Sequence, residues 1–134
     1  MLAWLLDEPS AVDVIRAIES ADLVVISDLT AVECARAIHR ALESERIDSA
    51  QAYALRAAFT STAAQWDRLE IGERVLGLAS GPFPSEPVRA LDAIHLASVI
   101  LAREVWSELC VLSLDERVRA NAAALGHSLL PDVT

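Results

Sequence analysis

Three carboxylates in this chain, Glu33, Asp92 and Asp115, stand at places where a hydrolytic site could be built. They lie far apart in sequence, so no local segment pairs them and only a fold can bring them together. Hard divalent cations such as Mg²⁺ and Mn²⁺ prefer carboxylate oxygens, and Mg²⁺ keeps several waters and takes only a few protein ligands. A cation held this way activates a water for in-line attack on phosphorus and stabilises charge on the phosphate oxygens. The chemistry implied is phosphodiester hydrolysis without a protein nucleophile.

Each acid also has a purely structural reading. Thr30 and Glu33 have capping-box spacing, and Asp115 can be an N-cap or first-turn acid favoured by the helix dipole. Asp92 is harder to explain in that way. It lies between Leu91 and Ala93 in a segment that continues with Ile94, Leu96, Ala97, Val99, Ile100 and Leu101. A carboxylate there is expected to be at least partly buried and to need a cation, a metal or backbone N–H groups.

The elements that must position these acids alternate in type. Pro9 and Ser10 open a helix to about Ser20, with Val12, Ile15 and Ile18 at helical spacing. Residues 1–6 read as the tail of a buried helix or a strand-to-helix connection. Leu23-Val24-Val25-Ile26 reads as a short buried strand, followed by a helix over about 29–43 with N-cap chemistry from Ser27, Asp28 and Thr30. Further helices are expected from Asp48 or Ser49 to Gln65, from Gly72 to Ser80, from Val88 to Arg103 and from Asp115 to Leu125. Gly126 reads as the stop of the last. Strands are expected at Trp66–Ile71, Leu109–Leu112 and His127–Leu130. The loop Gly81–Pro87 holds three of the 5 prolines. Such alternation predicts an α/β fold with a mainly parallel sheet, whose sites form where strand C-termini meet helix N-termini.

Composition narrows the function. The 134 residues suit one domain, and the 11 basic residues are all arginines. Without lysine there is no P-loop lysine, no Schiff base and no receiver-type phosphoacceptor. A haloacid-dehalogenase-type phosphatase would need an Asp-x-Asp motif, which is absent. The net charge of -9 argues against charge-driven nucleic-acid binding, yet suits a nuclease whose bound metal carries the positive charge. Cys34 and Cys110 sit in apolar contexts without metal-ligand spacing and read as buried thiols of a reduced, cytoplasmic protein. No apolar run approaches the ~18–20 residues of a membrane span, so no membrane role is expected. The apolar start lacks a positive n-region and runs into Asp7 and Glu8, which argues against a signal peptide.

Leu91-Asp92-Ala93-Ile94-His95-Leu96-Ala97 resembles the signature helix of PIN-domain ribonucleases, in particular VapC toxins of bacterial toxin–antitoxin pairs. Val111 to Arg117 is similar to the family's strand-to-acid motif, with Ala122-Ala123-Ala124-Leu125-Gly126 in the helix that follows it. Ser27 to Glu33 matches the segment carrying the helix glutamate, and Leu5 to Ser10 resembles the family's second segment. The resemblance implies a three-layer PIN-like fold, a single domain over 1–134, and Glu33, Asp92 and Asp115 as metal ligands and catalytic acids. It also implies Mg²⁺- or Mn²⁺-dependent RNA cleavage, a homodimer, and a VapB-type antitoxin that places a basic side chain in the acidic site.

Arg36, His95 and Ser113 are candidates for contacting substrate or supporting the ligands. Arg40 and Arg89 read as RNA contacts or as exposed ion-paired arginines, and His95 equally as a structural histidine. Trp4, Trp66 and Trp106 are too scattered for a base-stacking platform and read as core or dimer contacts.

One departure stands out. The family opens with a strand ending in an aspartate, and Met1 to Leu5 align with the helix after it, so the first strand and its aspartate are expected to be missing. Asp7, the nearest acid, is not assigned as a ligand. Either the true start lies upstream, the favoured reading, or the chain is a shortened binding module that keeps antitoxin or RNA binding without catalysis.

Overall fold

A computed structural model of the chain describes residues 9–132. The expectations for residues 1–6, and for Trp4 and Asp7, fall outside the described residues. The chain divides into two compact units, residues 1–68 and 69–134.

In the first unit, α1 (Ala11–Glu19) buries Ala11 and Val14. Strand β1 (Val25–Ser27) is displaced from the expected run toward its end, because Leu23 is exposed and Ile26 and Ser27 are buried. Helix α2 (Asp28–Glu43) begins where Ser27 Oγ accepts the Thr30 N–H at 3.3 Å. Ser27 is thus the cap, and Thr30 lies inside the helix. The expected Thr30–Glu33 capping box is therefore not formed, and Glu33 stands in the second turn. A true capping box opens α3 (Ser49–Ala63): Gln51 N–H donates to Asp48 Oδ1 at 2.8 Å, and Asp48 N–H donates to Gln51 Oε1 at 2.9 Å. Cys34, Ile38 and Ala52 pack together between α2 and α3, with Leu42, Ile47, Leu55 and Phe59 around them. Strand β2 (Asp67–Leu69) pairs with β1, and the Asp67 N–H donates to Val24 O at 2.9 Å.

The second unit holds α4 (Glu73–Ala79), α5 (Ala90–Val105), β3 (Cys110–Leu112), α6 (Glu116–Ala124) and β4 (Ser128–Leu130). Strands β3 and β4 are parallel, in the register Cys110–Ser128, Val111–Leu129 and Leu112–Leu130. This is the parallel pairing expected of α/β alternation, here in two-stranded sheets. The core joins Phe83, Ala93, Leu96, Val111, Val118 and Ala122. A second cluster joins Val75, Ala97 and Leu101 between α4 and α5. Cys110 is exposed, against expectation, because strand alternation turns Val111 into this core and its neighbour out. Gly126 takes φ 83° after α6, as its reading as a helix stop requires.

The proline-rich loop before α5 is built by two side chains. Glu86 accepts the N–H groups of Phe83 at 3.0 Å and Val88 at 2.7 Å. Asn121, 1% exposed, accepts the Ser85 N–H at 2.8 Å and donates to Ser85 O at 3.0 Å and Arg117 O at 3.1 Å. The loop is thereby tied to α6, and it leads into α5 at a fixed place.

Candidate active site

Asp92 occupies the first turn of α5, whose N-cap, Arg89, makes no side-chain cap bond. The helix is apolar on its inner side, where Ala93, Leu96, Ala97, Ser98, Leu101 and Ala102 are buried. Asp92 itself is half-buried. Its Oδ2 is buried and meets no hydrogen-bond partner among the described residues. Removing a carboxylate oxygen from water without a partner is costly, and a cation is the natural remedy. The expectation of partial burial for this acid therefore holds.

Asp115 is exposed and caps α6: its Oδ1 accepts the N–H groups of Arg117 at 2.8 Å and Val118 at 3.2 Å. Ser113 Oγ accepts the Asp115 N–H at 3.2 Å, so Ser113 shapes the turn between β3 and this acid. Asp92 and Asp115 each stand in the first turn or at the cap of a helix, where the dipole favours negative charge. Ala93 and Val118, one and three residues beyond them, belong to the same core cluster.

Glu33 lies in the other unit, half-buried on α2 beside the buried Cys34. Burial pushes the Cys34 thiol up to about 11, with the Glu33 charge adding to it. Arg36, Arg40 and Arg89 are exposed, while His95, Trp66 and Trp106 are half-buried. Among the described residues, no three His, Cys, Asp or Glu side chains gather closely enough to hold a metal ion. The fit to a hard cation thus rests on the donor chemistry and on the unpartnered Asp92 oxygen.

Two polar residues of this region carry bonds that no sequence motif pointed to. One is Asn121, a lone amide ahead of three alanines. The other is Arg119, four residues after Asp115, whose Nη1 donates to Ser113 O at 2.8 Å and Leu130 O at 3.0 Å and whose Nη2 donates to Pro131 O at 3.1 Å. The spacing from Asp115 was the available signal for Arg119. After α6 in the chain, His127 is buried, and its Nδ1 has no hydrogen-bond partner among the described residues. Burial, and then the Arg103 charge, lower its pKa from 6.5.

The PIN domain family model matches residues 1–124. The chain is 35% identical over 106 residues to Ribonuclease VapC35 of Mycobacterium tuberculosis, a match spanning 79% of this chain and 70% of that protein. It is 40% identical over 67 residues to Ribonuclease VapC46 of the same species, spanning 50% of this chain and 49% of that protein. Among the described residues, no helix is long and apolar enough to cross a membrane.

Proposed function

The chain belongs to the PIN-domain family, of the VapC type, and from that premise we propose that it is a divalent-metal-dependent endoribonuclease, the toxin of a VapBC-type pair. The observation that carries the metal dependence is the buried Oδ2 of Asp92, which has no partner among the described residues. Asp92 and Asp115 would hold Mg²⁺ or Mn²⁺, and the resemblance gives Glu33 the same role. A cation so held supplies an activated water and offsets charge on the phosphate oxygens.

The chain's own residues prepare this chemistry. The hydrogen-bonded loop before α5 and the cap at α6 set where two of the carboxylates begin. Asp115 already gives one oxygen to helix N–H groups, which orients the carboxylate. His95, one turn beyond Asp92, is a candidate for supporting that acid or a substrate phosphate, and Arg36 for contacting RNA. The partner is a VapB-type antitoxin, the active unit a homodimer and the compartment the cytoplasm.

A second reading, a PIN-fold binding module without catalysis, is favoured by one observation: no three ligand side chains gather among the described residues. Cleavage of a structured RNA with Mn²⁺ or Mg²⁺, beside an Asp92→Asn variant, separates the two. Metal-dependent cleavage that the variant loses supports the enzyme. Absence of cleavage by the parent chain, with antitoxin binding intact, supports the module.

A further inference from the structure

We propose that Arg119 is a positioning residue for Asp115, a role that rests on the nuclease reading for its purpose though not for its test. The guanidinium spends its three hydrogen bonds on main-chain carbonyls: Ser113 O, Leu130 O and Pro131 O. No described carboxylate pairs with it. Those carbonyls mark the ends of β3 and β4, where Ser113 N–H also donates to Leu130 O at 3.0 Å. Arg119 therefore stitches the ends of the two parallel strands together, just where the chain leaves β3 for Asp115.

The turn Ser113-Leu114-Asp115 is held from both sides. On the strand side, Arg119 Nη1 grips Ser113 O, and Ser113 Oγ in turn accepts the Asp115 N–H. On the helix side, Arg119 N–H donates to Asp115 O at 2.9 Å. The main-chain bond, which any residue here would make, sets Arg119 one turn from the acid; the side chain's own contribution is its bond to Ser113, the residue that fixes the acid's amide. The carboxylate then keeps Oδ1 on the N–H groups of Arg117 and Val118. A ligand or catalytic carboxylate must be held to about 0.5 Å, and supports of this kind typically matter about 10–100-fold. The planar guanidinium reaches the three carbonyls from two separate nitrogens in a fixed fork, whereas a lysine ammonium presents all its donors from one point on a flexible stem.

The test is residue-resolved amide hydrogen exchange on the metal-free chain, comparing wild type with Arg119→Lys and Arg119→Gln. The expected result is exchange about tenfold faster at Arg117 and Val118, whose protection depends on Asp115. The amides of Leu96 and Ala97 in α5 are expected to keep their rates. In parallel, the Mn²⁺ concentration for half-maximal RNA cleavage should rise about tenfold, with KM for RNA unchanged. Unchanged exchange at Arg117 and Val118 overturns the proposal. So does a uniform rise across the unit, or failure of both variants to fold, because either would make Arg119 a fold clamp only. A rise in KM alone also overturns it, in favour of direct RNA contact. If wild type cleaves no RNA, it is the nuclease reading that fails, and the exchange comparison still decides the positioning role.

Discussion

Replacing Asn121 with leucine isolates what ties the loop before α5 to α6. The side chain is 1% exposed and makes three hydrogen bonds. Leucine is close in size, so the cavity contribution is small and the polar loss dominates. The bond to Arg117 O is the least important, because that carbonyl already accepts a helix N–H. The two bonds to Ser85 are the substantial ones. Each contributes about 0.5–1.5 kcal/mol net, and more if the freed groups stay dry. Ser85 is exposed, so water reaches its main chain after the loop lifts. The expected destabilisation is about 2 kcal/mol, or a Tm fall of roughly 5–10 °C for a chain of this length. Chemical denaturation gives the free energy, and limited proteolysis at the loop shows where the change lies. Ser85→Ala is the control, since both bonds use its main chain, and it should be near neutral. A loss under about 0.5 kcal/mol for Asn121→Leu, or equal effects of the two variants, would refute the reasoning.

Further outcomes follow from the same structure. His127 has its folded pKa below 6.5, so the unfolded chain binds the proton more readily; its contribution to stability is complete above 6.5 and is lost as pH falls below that value. Denaturation curves from pH 8 to 5 should show this decline in wild type and a flatter profile in His127→Gln. Arg74→Gln should cost less than about 1 kcal/mol in stability despite bonds of 2.8 and 2.9 Å to Glu104, because both side chains are exposed. Leu96→Ala, at a fully buried position of the same unit, should cost about 2–5 kcal/mol by the same measurement.

Much of the local structure was legible in the sequence because it follows from period and punctuation. The apolar register of α5 places Asp92 half-buried, and Asp115 caps α6 as its position after β3 suggested. Gly126 stops α6 because its φ of 83° favours glycine. Of the three cap candidates before α2, Ser27 is the one that caps, so the Thr30–Glu33 spacing forms no capping box. The remaining differences each have their own cause. Cys110 looked buried because its neighbours are apolar, but in a three-residue strand the alternation decides. Arg119 and Asn121 escaped notice because their partners are main-chain atoms, as distant in sequence as Leu130 and Ser85. Short motifs report side-chain types and cannot report such partners. The resemblance carried the family; the support around each acid became visible only in the fold.

The most direct test of the central claim is thermal unfolding of wild type and Asp92→Asn, each with and without Mn²⁺. Without metal, Asp92→Asn should be at least as stable as wild type, since it removes a carboxylate with a buried oxygen that no described residue satisfies. With Mn²⁺ near 100 times its Kd, wild type should gain about 2.7 kcal/mol and the variant nothing. Equal gains in both proteins, or no gain in wild type, would contradict the assignment of Asp92 to a metal.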